Sequence, residues 1–245
     1  MSLIEILIIN TPEESASFKR LLGDGSHLGI HIAYAIQPSP DGLAQAFLIG
    51  RDFIGDDSVA LVLGDNIFDG ASFTETIADA EHSSGGTVFA YEVTDPERYG
   101  VVEFDQNLDV ISIAEKPEKP RSNYAVVGLY FFDNDVISIA EEIRPSSRGE
   151  LEITDVNRAY LNRGQLRVRR LDRGDVWLDT GTIDSMTEAS QYVEVMQKRT
   201  GIVIGSPEVA AFRSGFISSE ELVRIAEPLQ KSGYGRYLLA AAQNS

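Results

Sequence analysis

Two aspartates each close an apolar run: Asp65 in Leu61-Val62-Leu63-Gly64-Asp65-Asn66, and Asp179 in Trp177-Leu178-Asp179-Thr180-Gly181-Thr182. In open α/β sheets, ligands bind beyond the carboxyl ends of strands. Two carboxylates brought together there could hold Mg²⁺, which takes oxygen ligands and bridges substrate phosphates. Spacing alone favours the plainer role, a helix cap or loop residue, for each aspartate. Lys116 stands in Ala114-Glu115-Lys116-Pro117, at a strand end where the proline stops further pairing. A lysine there could meet a phosphate as a point charge, and Glu115 beside it could accept hydrogen bonds from sugar hydroxyls. On pattern alone, a solvated charge pair in a turn fits at least as well. The third cluster is Gln37-Pro38-Ser39-Pro40-Asp41-Gly42. Two prolines stiffen it, Gly42 allows close backbone approach, and the Gln37 amide could read a base edge with donor and acceptor together. A purely structural connection is the alternative, and this signal is weak by itself.

Other chemistries are excluded or unsupported. There is no Walker sequence and no G-x-S-x-G elbow. Gly23-Asp24-Gly25 followed by Gly29 misses the dinucleotide fingerprint by one position and follows a helix, so it reads as a turn. His27, His31 and His82 have no serine or cysteine partners at an informative spacing, form no metal-ligand cluster, and are assigned no chemistry. The absence of cysteine removes disulfides and thiolate reactions. No apolar run approaches the ~18 residues of a membrane span. The opening MSLIEILIIN has neither a basic region nor a small-residue cleavage site, so it is not a signal peptide and a cytoplasmic location is expected. A net charge of −17 argues against nucleic-acid binding, which depends on Lys and Arg neutralising phosphates. Simple solubility is the plainer account of the acidic excess, and adaptation to high salt is the other.

The elements that must position these residues follow from periodicity and punctuation. Leu3–Ile9 is an apolar, β-branched strand; Asn10-Thr11-Pro12-Glu13 then opens a helix that runs to about Leu22 and stops at Gly23. A strand over Ile30–Ile36, a helix over Asp41–Gly50 and a strand over Val59–Leu63 continue the alternation, which predicts a parallel sheet covered on both faces. Further on, helices are expected over Ser72–Ser83, Asn134–Ile143, Glu152–Asn162 and Thr182–Arg199. Strands are expected over Thr87–Val93, Tyr124–Phe132, Leu166–Leu171 and Val176–Leu178, with a hairpin pairing Gly100–Phe104 with Val110–Glu115. The tail, Pro207–Ala242, reads as mostly helical, with Ser218-Ser219-Glu220-Glu221 as a start signal. The expected division is an α/β domain over 1–200 and a helical extension over 201–245.

Six blocks, in one order along the chain, carry a family resemblance: QPSPDGLAQA (Gln37–Ala46), LVLGDNIF (Leu61–Phe68), DPERYGVVEFD (Asp95–Asp105), EKPEKPRSNYAVVGLYFFDNDV (Glu115–Val136), RGELEITDVNRAYL (Arg148–Leu161) and WLDTGT (Trp177–Thr182). Together they resemble the glucose-1-phosphate thymidylyltransferase family of sugar nucleotidyltransferases. The resemblance implies the nucleotide-diphospho-sugar transferase fold, a Rossmann-like, mixed but mainly parallel sheet flanked by helices. It implies that Asp65 and Asp179 are catalytic and bind Mg²⁺, with Lys116 as the third catalytic residue. It assigns Gln37 and Gly42 to base recognition, and Tyr99, Gly100, Glu115, Lys116 and Val126 to the surroundings of the sugar phosphate. Trp177 lies beside the second aspartate, and Glu150 and Arg148 fall near the sugar pocket. The implied reaction joins dTTP and glucose 1-phosphate to give dTDP-glucose and pyrophosphate. The implied assembly is a homotetramer that feeds deoxysugar pathways such as that to dTDP-rhamnose.

Members of that family open with a strand, a glycine-rich loop carrying an arginine, and a lysine further on. The matching blocks here begin at what resembles the family's second strand. The resemblance thus implies a fold with its first strand missing, poor turnover without the phosphate-cradling loop, and weak folding where neighbouring strands lose a backbone partner. Two other readings stand beside it: a related nucleotidyltransferase using UTP or CTP, and a non-catalytic nucleotide-sugar-binding or regulatory remnant.

Overall fold

A computed structural model describes residues 5–78, 80 and 84–243. The chain opens with β1 (Glu5–Asn10), α1 (Ser15–Leu22) and β2 (His31–Ile36). Next come α2 (Gln45–Ile49), α3 (Arg51–Ile54), β3 (Val59–Val62), β4 (Asn66–Asp69), α4 (Phe73–Ala78) and β5 (Gly86–Glu92). The hairpin β6 (Gly100–Phe104) and β7 (Val110–Glu115) precedes β8 (Tyr124–Phe132), α5 (Asp135–Glu142) and α6 (Ile153–Asn162). β9 (Leu166–Arg170), β10 (Val176–Asp179), α7 (Ile183–Thr200), α8 (Pro207–Arg213), α9 (Ser219–Ala226) and α10 (Gly233–Gln243) complete it. The residues divide into two compact units, Met1–Pro38 with Ser190–Ser245, and Ser39–Ala189.

In the first unit, β1 and β2 pair in parallel from Glu5↔His31 to Asn10↔Ile36. The β–α–β order requires this, because a helical crossover returns the second strand in the same direction. α1 starts one turn later than Asn10-Thr11-Pro12 suggests: residues 12–14 form a turn whose end, the Ser15 N–H, reaches back to the Thr11 carbonyl. α9 starts where the sequence places it, with a capping box in which Ser218 Oγ accepts from the Glu221 N–H and Glu221 Oε2 accepts from the Ser218 N–H. Leu28, Ile30, Val209, Leu222 and Leu238 share one core. The apolar faces of α8, α9 and α10 are thus covered partly by residues that precede β2, and the boundary expected at residue 200 falls inside this unit.

In the second unit, a six-stranded sheet runs in the order β7-β6-β8-β5-β9, with β3 also pairing to β8. The centre is β8, YAVVGLYFF, an almost continuous apolar run buried on both faces. β5 lines one edge of β8; β6 and β3 share the other, β6 at Tyr124–Ala125 and β3 at Leu129–Phe132. The sheet is mixed, as expected, but its balance differs from a mainly parallel one: β5–β9 is parallel, while β3–β8, β5–β8, β6–β8 and β6–β7 are antiparallel. The β6–β7 connection is too short for a crossover. Its turn is set by Asp105, whose Oδ1 accepts from the N–H groups of Asn107 and Asp109 at 2.8 and 2.9 Å.

A separate antiparallel ribbon joins β4 to β10 from Asn66↔Asp179 to Asp69↔Val176. The β4 strand is not apparent in the sequence, because Asn and Asp at its ends are poor strand formers. α4 is shorter than the Ser72–Ser83 expected, and of that stretch residues 79 and 81–83, including His82, lie outside the described residues, as do Leu3 and Ile4 of the first strand. Among the described residues, no helix is long and apolar enough to cross a membrane.

Candidate active site

One cleft in the second unit is lined by residues from widely separated stretches of the chain. They are Leu63, Asp65 and Asn66 after β3, Arg98, Tyr99 and Gly100 entering β6, Glu115 and Lys116 leaving β7, Thr154 on α6, and Trp177 and Asp179 on β10. The central strand supplies Val126, Gly128 and Tyr130. These alternate along β8, as residues on one face of a strand must.

The two aspartates are held by backbone. Asn66 faces Asp179 across the β4–β10 ribbon. Just beyond it, the Asp65 carbonyl accepts from both the N–H and the Oγ1 of Thr180, at 2.9 and 2.8 Å. The carboxylates converge as a result: Asp179 Oδ1 and Asp65 Oδ2 lie 3.0 and 3.7 Å from the point where a Cβ on Gly181 would stand. Glycine at 181 leaves that space open. Asp179 accepts from the Gly181 N–H at 2.8 Å and, on its other oxygen, from Arg98 and the Tyr99 hydroxyl, each at 3.4 Å. The Asp65 carboxylate accepts from the Asn66 amide at 2.7 Å. Among the described residues, no three His, Cys, Asp or Glu side chains form a closed metal cage. Two convergent carboxylates on an open cleft do fit a hard divalent cation that shares substrate phosphate oxygens.

The β6–β7 hairpin delivers the opposing groups. Gly100 pairs with Glu115, and the Lys116 N–H extends that ladder to the Tyr99 carbonyl at 3.0 Å. Lys116 has a φ of 39°, in the left-handed region, although it is neither glycine nor asparagine and precedes a proline. Such backbone conformations persist where the surrounding structure over-determines them, as at ligand sites. Glu115 is bound on both oxygens: Thr154 Oγ1 donates to Oε2, and Arg148 to Oε1 at 3.4 Å. Arg148 in turn makes a bidentate contact with buried Glu152, from Nε at 3.1 Å and Nη2 at 2.8 Å, and reaches Glu150 at 3.4 Å. The Glu152 hydrogen bonds, with Glu150 and Glu115 adding to them, raise the Arg148 guanidinium above its ordinary range. Gly100 has a role of its own here, because a Cβ would stand 3.1 Å from Thr154 Oγ1 and 3.4 Å from Glu115 Oε2.

Trp177 is buried against Tyr99, ring centroids 5.0 Å apart at 64°. Burial pushes the Tyr99 phenol up to about 12. Arg98 lies 5.2 Å from the Tyr99 ring centroid and pairs with Asp95 at 2.9 Å. That Asp95 hydrogen bond raises the Arg98 guanidinium.

Of the residues singled out in the sequence, Asp65, Tyr99, Gly100, Glu115, Lys116, Val126, Trp177 and Asp179 line this cleft. Glu150 does not line it and sits on Arg148 instead. Gly42 packs against the backbone of Leu151: its φ is 104°, and a Cβ would meet the Leu151 carbonyl oxygen at 2.4 Å. Gln37 belongs to the first unit, at the end of β2, where its N–H donates to the Asn10 carbonyl at 2.9 Å. Asn66, Arg98 and Thr154 are cleft residues that sequence reasoning passed over, each within a family-like block and next to or near a residue that was named.

The chain that builds this cleft belongs to the nucleotidyl transferase family, whose model matches residues 2–195. Within it, this chain is similar to several glucose-1-phosphate thymidylyltransferases. The enzyme of that name from Xanthomonas campestris pv. campestris (strain B100) is 58% identical over 98% of this chain and 81% of its own length. That from Neisseria meningitidis serogroup A is 55% identical over 96% and 82%. Among solved structures, a Bacillus anthracis protein described as a glucose-1-phosphate thymidylyltransferase, in complex with sucrose, superimposes with a TM-score of 0.72 at 36% identity, covering 84% of this chain and 80% of that one. A UDP-glucose pyrophosphorylase bound to UDP-glucose, at 23% identity and a TM-score of 0.61, covers 78% and 81% and shares the fold alone.

Proposed function

We propose that the chain transfers a deoxythymidylyl group from dTTP to glucose 1-phosphate, giving dTDP-glucose and pyrophosphate, with Mg²⁺ as the cofactor. The observation that carries the reading is the meeting of Asp65, Asp179, Glu115 and Lys116 in one cleft of a chain whose relatives bear that enzyme's name. In the reaction, a phosphate oxygen of glucose 1-phosphate attacks the α-phosphorus of dTTP in line, the new P–O bond forms, and pyrophosphate leaves with the electron pair of the broken one. No protein nucleophile is required, so the chain's contribution is positioning and charge. Lys116 orients the attacking phosphate as a point charge. Glu115, fixed by Thr154 and Arg148, accepts from sugar hydroxyls. Trp177 and Tyr99 form an aromatic wall beside Asp179. Asp65 and Asp179 would hold the cation, which when bound neutralises phosphate charge. Alignment of this kind can supply roughly 7–11 kcal/mol of a barrier.

The same reading extends to a cytoplasmic homotetramer feeding deoxysugar synthesis such as that of dTDP-rhamnose. The test is product analysis after incubation with Mg²⁺, glucose 1-phosphate and each of dTTP, UTP and CTP. The expected outcome is pyrophosphate release with dTTP foremost. Preference for UTP or CTP would reassign the nucleotide, and sugar-nucleotide binding without pyrophosphate release would replace catalysis by a binding role.

A further inference from the structure

We infer that Asn66 is the positioning residue of this cleft, a single amide that sets the orientation of both the Asp65 carboxylate and the Trp177 indole. The inference rests on the function proposed above for the role of Asp65, and on geometry for the rest. Asn66 Oδ1 accepts from Trp177 Nε1 at 2.6 Å and from the Gly128 N–H at 3.1 Å. An indole N–H and a backbone N–H can only donate, so the oxygen end of the amide must face them. The NH₂ end is then forced toward Asp65, where Nδ2 donates to Oδ1 at 2.7 Å. One side chain thereby connects the strand end carrying the first aspartate, the central strand and the strand carrying the second.

Gly128 shows how closely the amide is fitted. A Cβ at that position would stand 2.5 Å from Asn66 Oδ1 and 2.8 Å from Leu63 Cδ1. Glycine on the central strand therefore makes room for the amide rather than for a turn. Partners that orient metal-binding carboxylates are typically worth ten- to a hundredfold in metal affinity.

Trp177 is the chain's only tryptophan, so its emission reports this indole alone. Tb³⁺, an oxygen-seeking ion, can be sensitised through the same residue, giving a metal readout that does not depend on turnover. In Asn66→Ala, the Trp177 emission should shift, and half-saturating Tb³⁺ should rise roughly tenfold or more. Gly128→Ala leaves the amide in the sequence but pushes it aside, and should reproduce both changes of Asn66→Ala; it also serves if that variant does not fold. An Asn66→Ala or Gly128→Ala protein with unaltered emission and unaltered Tb³⁺ saturation would overturn the inference, as would a parent protein in which Trp177 sensitises no Tb³⁺. Failure of the proposed activity registers separately, as no pyrophosphate release alongside these spectral changes.

Discussion

The left-handed backbone at Lys116 separates what this residue does for the fold from what it does for the reaction. Two substitutions, Lys116→Gly and Lys116→Ala, both delete the ammonium group. Only glycine adopts a φ of 39° without a Cβ penalty. The left-handed conformation costs an L-residue about 1–2 kcal/mol, and glycine's greater freedom in the unfolded chain returns about 0.4–1 kcal/mol of that. At the middle of these ranges Lys116→Gly is more stable than Lys116→Ala by about 0.8 kcal/mol, or roughly 2–3 °C in melting temperature for a chain of this length. Both should lower kcat/KM for pyrophosphate release by orders of magnitude. Melts at one scan rate and coupled pyrophosphate assays on the two purified variants give both quantities. If the alanine variant melts at or above the glycine variant, the strain argument fails. If either variant retains near-normal kinetics, Lys116 is not the phosphate-orienting group.

Asp65→Asn and Asp179→Asn should each cut turnover at least a hundredfold while leaving the melt within a few degrees, because Thr180 grips the Asp65 carbonyl and not its side chain; a variant with unchanged Mg²⁺ dependence would remove that residue from the metal site. Gly42→Ala must pay for a disfavoured φ of 104° and a collision with the Leu151 backbone, and should destabilise by about 2–4 kcal/mol in a denaturant melt; a neutral result would show that the loop gives way. Tyr160→Phe removes the hydroxyl that donates to Asp133 Oδ1 at 2.7 Å in the core beside Phe132, at a cost of about 1–3 kcal/mol. The Glu221 carboxyl is held below its ordinary range by the Ser218 N–H. Its stabilising charge is therefore complete above the ordinary glutamate range and is lost as pH falls through the lowered folded value. The melting advantage of the parent over Glu221→Gln should narrow on acidification, and an advantage that grows would reverse the sign of this assignment.

Much of this arrangement is legible from residue types. The continuous apolar run of β8 marks a central strand, the β6–β7 hairpin is readable as two adjacent strand-like runs, and Ser218 with Glu221 marks the start of α9. Asp65, Lys116 and Asp179 stand out because each follows a strand. What periodicity does not carry is pairing between distant segments. β4 is too short and polar to be seen alone, and becomes a strand only because β10 lies against it. The antiparallel ladders of β8 depend on which edges its neighbours reach, and the repeating strand–helix order of the first third suggests parallel pairing instead. Asn66 and Thr154 escape notice for a related reason: each earns its place through partners far along the chain, Trp177 and Glu115 respectively.

The Thr180 clasp on the Asp65 carbonyl spans 115 positions in the chain. Closing so large a loop is slow and entropically costly, and nothing local rewards it until the far end arrives. The order of events during synthesis follows from that. A nascent polypeptide can complete the β6–β7 hairpin and dock it on β8 while β10 is still in the ribosome, but the two carboxylates meet only after residue 180 has emerged. Ligand capture is therefore among the final properties the growing chain acquires, and a stalled translation product ending before β10 would carry an assembled sheet with no place for the phosphates.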